Sequence, residues 1–399
     1  MHSRKRHILY PLLKRNKMFP TVGILGVRQS GKTFFLMHEW QKHLGGHYLT
    51  FDQFEIAKRA ADSPDHFLRA QTDDLEKPII IDEAHKVPAI FDAIKLMIDT
   101  KRRVGRFTLS GSVEFSKRSG VKESLAGRLG LCRLFPLTLA ELSKKGDFVA
   151  PWLNNFSKIS GVTSAQIEKW LKRGGMPVFC DKEDQEERHL LIYYWLEAIC
   201  HRDLSLLYGK GFNGDLAMEL LRLIAQTDGP FSLTKASNQL GVSTEKIKHY
   251  LQAMESLFLI YHLPNYRANH GQPVYILFDS GVLDFLLDGG ETHFCREQCL
   301  KTLVINEILA QYEYSSQVRP KLYHYRSSGG AELPIVLTSK SQTLAIDLHL
   351  SANIKPYRLR SIKSFLKQNP TAKGYVLAPV EHQQVLDERL FIIPWQWVG

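Results

Sequence analysis

Gly26-Val27-Arg28-Gln29-Ser30-Gly31-Lys32-Thr33 follows directly on the apolar run Thr21-Val22-Gly23-Ile24-Leu25 and opens a stretch of helical character. The pattern is G-x-x-x-x-G-K-T between a strand and a helix. Its glycines let the backbone curl until successive N–H groups, from Gln29 to Thr33, point at phosphate oxygens. Lys32 is then placed to reach the β- and γ-phosphates as a point charge, and the Thr33 hydroxyl to ligate Mg2+. The stretch predicts a P-loop with ATP and Mg2+ as cofactors, bound through Gly26, Gln29, Ser30, Gly31, Lys32, Thr33 and Asp82. A glycine-rich turn beside a stray lysine is the competing explanation, and the strand and helix flanks argue against it.

A loop of this kind binds, and hydrolysis needs more. Pro78-Ile79-Ile80-Ile81-Asp82-Glu83 is an apolar strand ending in two acids. Asp82 is expected to hold Mg2+ from its second shell, completing a metal pair with Thr33, and Glu83 to orient and polarise the attacking water. Arg106-Phe107-Thr108-Leu109-Ser110-Gly111-Ser112 is a further strand. If it lies between the strands of the P-loop and Asp82, Ser110 or Ser112 faces the γ-phosphate. Arg128, in the glycine-flanked segment Ser124-Leu125-Ala126-Gly127-Arg128-Leu129, is placed to stabilise transition-state charge in a neighbouring subunit's site. The expected catalytic set is Glu83, Lys32, Arg128, Ser110 and Ser112.

The 399 residues allow two or three domains, and 44% hydrophobic with 23% charged content is that of a globular protein. No apolar run reaches membrane-span length, and the basic N-terminus lacks the apolar region of a signal peptide. The expectation is a cytoplasmic protein without a membrane partner. The five cysteines are too scattered for a disulfide framework; His293-x-Cys295-x-x-x-Cys299 hints at metal, but no second pair completes four ligands. The formal charge of +11 favours an anionic partner.

Residues 20–142 alternate apolar runs with helix-like stretches, which predicts a parallel α/β sheet with strands at 21–26, 47–52, 78–82, 106–111 and 131–135. Helical patterning follows from about 160 to 227. Two short helices joined by a glycine turn span Phe231 to Leu251, with Thr234 and Ser243 as N-cap candidates. From about 270 strands return, at 274–278, 321–325, 333–337, 344–350 and 374–377, with helices at 301–313 and 356–367.

In this order the motifs resemble a family of archaeal and bacterial AAA-type ATPases whose C-terminal half carries a domain of unknown function. The resemblance covers nearly the whole chain. It rests on the P-loop, Ile80-Ile81-Asp82-Glu83-Ala84-His85-Lys86-Val87-Pro88, Leu109-Ser110-Gly111-Ser112, Glu123 to Arg128, Gly174-Gly175-Met176-Pro177, His201-Arg202-Asp203-Leu204, Gly241-Val242-Ser243 and Phe278-Asp279-Ser280-Gly281. It implies an ATPase domain of ASCE type at 1–145, a helical lid at 160–212, a winged helix-turn-helix at 213–268 and a restriction-endonuclease-like α/β domain at 269–399. Arg128 matches the family's arginine finger. In the last domain Pro334 replaces a metal-binding aspartate and His349 a lysine, so Glu307, Glu332 and Asp347 remain as acids and nuclease activity is not expected.

Two functions of different class follow. One is an ATPase that couples nucleotide state to binding or remodelling DNA, with Thr244, Lys246, Lys248 and His249 near the start of the second helix of the helix-turn-helix. The other is a nucleotide-gated signalling or scaffold protein with protein partners. A homo-oligomer in which Arg128 acts in trans is compatible with both.

Overall fold

Five apolar runs in the first third form a wholly parallel sheet. The strands are β1 (Thr21–Leu25), β2 (His47–Thr50), β3 (Ile79–Asp82), β4 (Phe107–Gly111) and β5 (Leu129–Arg133), in the order β2-β3-β4-β1-β5. The three central strands β3, β4 and β1 are buried at every position, whereas the edge strands β2 and β5 are partly exposed. This is the burial that helices on both faces impose, and it is why the central strands read as continuous apolar runs. The computed structural model describes residues 4–71, 77–114, 125–143, 162–209, 211–266, 271–315, 318–339 and 342–398. Glu123 and Ser124 of the arginine-bearing segment lie outside them.

The chain divides into two compact units, residues 1–135 with 256–258 and 313–316, and the remainder. In the first unit the two short distant segments close on the sheet. Glu114 donates its N–H to Ser256 O (2.8 Å), the Arg133 guanidinium stacks over Phe258 (4.4 Å), and Phe135 donates its N–H to the Tyr314 hydroxyl (3.1 Å).

The second unit begins with helices. Gln185–Glu197 continues through a π turn, Ala198–Asp203, into Leu204–Tyr208. The helices Leu233–Leu240 and Thr244–Ser256 are joined at Gly241, whose φ of 64° suits glycine. Ser243 caps the second helix as expected, accepting from Lys246 N at 3.2 Å. The first is capped by Ser232, which accepts from Lys235 N, and not by Thr234, which lies inside the helix. An antiparallel hairpin follows, β6 (Ile260–Leu263) with β7 (Val274–Leu277).

Two of the downstream sequence motifs prove to be halves of one junction. The buried Asp279 carboxylate accepts from Gly175 N (2.7 Å), Gly281 N (2.9 Å) and Val282 N (3.1 Å), and the Ser280 hydroxyl donates to Trp170 O (3.1 Å). The glycines are there for close approach. A Cβ on Gly281 would stand 2.4 Å from Arg173 O, and one on Gly174 would stand 2.0 Å from the Asp279 carboxylate. Helix Ser164–Arg173 thereby ends against the start of helix Ser280–Leu286.

The C-terminal sheet has the order β12-β13-β11-β10-β9-β8. Its strands are β8 (Lys321–Arg326), β9 (Glu332–Thr338), β10 (Thr343–Leu348), β11 (Lys373–Ala378), β12 (Gln384–Asp387) and β13 (Leu390–Pro394). The pairs β8–β9 and β9–β10 are antiparallel, and helix Arg360–Gln368 carries the chain from β10 to β11, which pairs with it in parallel. Ile362, Phe365 and Leu366 of that helix pack on Val336, Ala345 and Val376 of the sheet. β12 and β13 add a pair of strands beyond the sequence expectation, and the helix expected at 301–313 runs from His293 to Ser315.

Gly281→Ala should cost about 1–3 kcal/mol, the usual penalty of overpacking, because the obstructing atom is backbone and cannot rotate away. Denaturant unfolding of the full chain measures it. An unchanged midpoint would show that the junction yields.

Candidate nucleotide site

The loop after β1 is shaped by contacts that only small residues allow. A Cβ on Gly26 would lie 2.3 Å from Leu134 O, Gly31 has φ 99°, and Gln29 takes the left-handed conformation at φ 62°. Arg6 buttresses the loop from outside, donating to Ser30 O (2.7 Å) and Phe135 O (2.6 Å). Lys32, 4% exposed, turns its ammonium back onto the loop and donates to Gly26 O (2.9 Å) and Val27 O (3.0 Å). Burial pushes its pKa down, against the opposing pull of Glu83 and Asp82. The Ser30 hydroxyl is buried and has no hydrogen-bond partner.

Because β4 lies between β1 and β3, the ends of three strands converge on Asp82. Its carboxylate is fully buried. One oxygen accepts from the Thr33 hydroxyl (2.7 Å) and the Tyr48 hydroxyl (2.9 Å); the other accepts from the Ser110 hydroxyl and from Glu83 N (3.1 Å). Burial and the Asp82 charge raise the Tyr48 pKa, so the phenol stays protonated and remains a donor.

Glu83 follows in the left-handed conformation, φ 54°, which costs a non-glycine residue about 1–3 kcal/mol. The bend aims its side chain along the strand ends. Its Oε2 accepts from Ser112 N (3.4 Å) and the Ser112 hydroxyl (3.3 Å), and His85 Nδ1 lies 3.2 Å away. Burial raises the Glu83 pKa, and the Lys32 charge opposes that rise.

Ser110 and Ser112 therefore stand where the strand order puts them, but each hydroxyl serves a carboxylate, Ser110 that of Asp82 and Ser112 that of Glu83. Arg128 does not meet the P-loop of its own chain. It precedes β5, whose Leu129 pairs with Thr21 at the start of β1, and Thr21 N donates to Arg128 O (3.1 Å). The P-loop leaves the other end of β1, five residues or roughly 16 Å along the strand. The guanidinium pairs with Asp99 (2.9 and 2.6 Å) and Ala126 O (3.3 Å).

The C-terminal acids do not gather. Glu307 accepts from Leu139 N at 3.1 Å, Glu332 pairs with Arg326 at 2.8 Å, and Asp347 lies 3.3 Å from His349. Burial pushes the Glu307 pKa up to about 8.

Tyr48, Arg6 and His85 were missed from sequence. Tyr48 sits alternately on an edge strand, and Arg6 is one of several N-terminal bases, so neither carries a local signal. His85 lies two residues beyond Glu83 within the Ile80–Pro88 motif, and that proximity is its signal in the sequence.

The loop fits a nucleotide. The orphaned Ser30 hydroxyl and the Lys32 ammonium on borrowed carbonyls are donors that a phosphate can take. Thr33 and Asp82 supply the oxygen ligands that Mg2+ prefers.

Residues 18–143 match the family described as an AAA domain; residues 164–292 and 297–398 match two domains of unknown function, DUF8612 and DUF4143. An uncharacterized protein of Mycobacterium tuberculosis is 24% identical over 323 residues, 79% of this chain and 68% of its own length. One from Methanocaldococcus jannaschii is 26% identical over 257 residues, 61% of this chain and 56% of its own length. A chain from the structure of Drosophila ORC bound to AT-rich DNA and Cdc6 covers 70% of this chain and 90% of its own at 11% identity, with a TM-score of 0.21. The first part of the chain is thus similar to an AAA domain, and its five-stranded parallel sheet fits an α/β P-loop NTPase. No helix among the described residues is long and apolar enough to cross a membrane.

Tyr48→Phe should cost about 1.5–3 kcal/mol, the range for a hydrogen bond to a charged group, without disturbing packing. Chemical denaturation at neutral pH checks this. A loss no larger than that of an exposed tyrosine would remove Tyr48 from the Asp82 network.

Proposed function

We propose that the chain is an Mg2+-dependent ATPase of AAA type that couples its nucleotide state to DNA. The observation that carries the hydrolytic part is Glu83, bent out of the strand beside the Asp82 network and within reach of Lys32's field. Gly26 to Thr33 would hold the phosphates, and Thr33 with Asp82 the cation. When bound, Mg2+–ATP supplies the phosphoryl group to be transferred and the positive charge that draws on it. Lys32 exchanges Gly26 O and Val27 O for phosphate oxygens. Asp82 keeps the Thr33 hydroxyl oriented, and Ser112 steadies the Glu83 carboxylate. Glu83 Oε2 positions a water molecule and accepts its proton.

Lys32→Ala should lose ATP affinity. Glu83→Gln should keep it and lose turnover by about 100-fold or more, the usual contribution of a positioned base. Glu83 works only when ionised and its pKa is raised, so turnover falls as pH drops through a value above the ordinary carboxylate range. Stopped-flow binding and a pH–rate profile read these effects. An acid limb at the usual carboxylate position, or hydrolysis retained in Glu83→Gln, would remove the assignment.

The DNA part rests on the charge of +11 and on the two-helix unit. Lys246 and Lys248 are exposed on helix Thr244–Ser256, and the hairpin β6–β7 follows in the place of a wing. His249 is exposed as well and sets its ring edge-on to Phe212 (4.9 Å). The nucleic-acid reading expects DNA to raise turnover and binding to weaken steeply with salt. ATPase assays with single- and double-stranded DNA test it. No stimulation and no low-salt binding would leave the nucleotide-gated scaffold reading.

Arg128 is read as a finger acting in trans, since its own P-loop lies at the opposite end of the neighbouring strand β1. Arg128→Ala should lower turnover and leave ATP affinity intact, and mixing it with Glu83→Gln should restore part of the activity. Absence of rescue at any mixing ratio would assign Arg128 to its Asp99 pair alone.

A further inference from the structure

The geometry points to a metal centre in the second unit, distinct from the nucleotide site, in which Cys295, Cys299 and Asp284 hold a zinc-class cation and His189 orients the aspartate. The metal hint in the sequence paired Cys295 and Cys299 with His293. In the structure His293 is 61% exposed and turns to Glu297 (3.4 Å). Asp284 takes its place.

Cys295 and Cys299 are one helical turn apart on helix His293–Ser315, so their thiols share a face. Asp284 comes from helix Ser280–Leu286, and His189 from helix Gln185–Glu197. The turn between the first two brings them together: Gly289 N donates to Asp284 O (2.8 Å), and Asp288 and Gly289 adopt positive φ of 59° and 62°. One ligand atom from each of Asp284, Cys295 and Cys299 lies within 4.8 Å of the others, and all three residues are 2% exposed. Among the described residues this is the set of three such side chains that meets. Tetrahedral zinc with Zn–S of about 2.3 Å sets neighbouring sulfurs about 3.8 Å apart, so closure asks for a shift of about 1 Å or less.

Two features favour a cation over apolar packing of thiols. Asp284 places a carboxylate in the interior, where an uncompensated charge is costly. Its hydrogen-bond partners are distant, His189 Nε2 at 3.4 Å and the Cys295 thiol at 3.9 Å, and the Arg188 guanidinium is within electrostatic range. The second feature is the ligand set. Two sulfurs and one carboxylate oxygen match zinc and cobalt, whereas Mg2+ takes oxygen alone. The His189 ring is braced edge-on against Phe285 (5.4 Å), which fixes the nitrogen that faces Asp284. Binding requires both thiols to release their protons, and Cys299 to give up its contact with Ser280 O (3.7 Å).

Titration of the reduced, metal-free full chain with Co2+ tests this. The expected result is a thiolate-to-cobalt charge-transfer band that saturates at one ion per chain and is displaced by Zn2+. Cys295→Ser and Cys299→Ser should each abolish the band, His189→Ala should weaken Co2+ binding about 10–100-fold, and Lys32→Ala should leave it unchanged. Since serine at a buried site can unfold the chain, the unmodified protein gives a second readout: Zn2+ should raise its Tm and protect Cys295 and Cys299 from alkylation mapped by mass spectrometry. The proposal is overturned by absence of the band in the unmodified chain, by a band that survives Cys295→Ser/Cys299→Ser, or by Zn2+ that neither raises Tm nor protects the thiols.

Discussion

A single buried carboxylate organises the candidate nucleotide site. Asp82 is removed from water completely, a placement that would be severely unfavourable without compensating donors. Four are supplied, by Thr33 after the P-loop, Tyr48 on β2, Ser110 on β4 and the Glu83 backbone. Each comes from a different element, so the charge is satisfied only when the strands stand in the order β2-β3-β4-β1. Strand order, the direction of the Thr33 hydroxyl and the bend at Glu83 are therefore one constraint seen from several positions.

The second unit uses the same device at Asp279, with a different balance. Four backbone N–H groups, those of Gly175, Met176, Gly281 and Val282, face its carboxylate, yet burial prevails and its pKa is pushed up to about 6. Asp82 is served mainly by side chains that belong to other strands, and Asp279 by the backbone of the two helices it joins. Motifs that look functional in a linear reading, Gly174-Gly175 and Asp279-Ser280-Gly281, thus act as a fastening. Their small residues are required by distances of 2.0–2.4 Å to a hypothetical Cβ.

Much of the first sheet was legible because central parallel strands are buried on both faces and leave uninterrupted apolar runs. The order of β4 between β1 and β3 was anticipated through Ser110 and Ser112, although their carboxylate partners were not. Tyr48 escaped because an edge strand mixes exposed and half-buried positions. Asp284 escaped because a ligand contributed by another helix has no fixed spacing from Cys295 and Cys299. The sequence points to Thr234 as the cap, whereas Ser232 takes that role, since both offer a hydroxyl within three residues and the backbone angles distinguish them. β12 was hidden for the opposite reason to β1: Gln384–Asp387 is exposed at every position, so no apolar run marks it.

The posture of Lys32 has a consequence for how the loop meets its ligand. Its ammonium is bound to Gly26 O and Val27 O, so the loop carries an internal stand-in for the oxygens of a phosphate. The cation neither swings out to solvent nor lies bare in the interior. Arrival of an anion is then a substitution in a shell that is already dehydrated and formed, and the lysine has little reorganisation left to undergo.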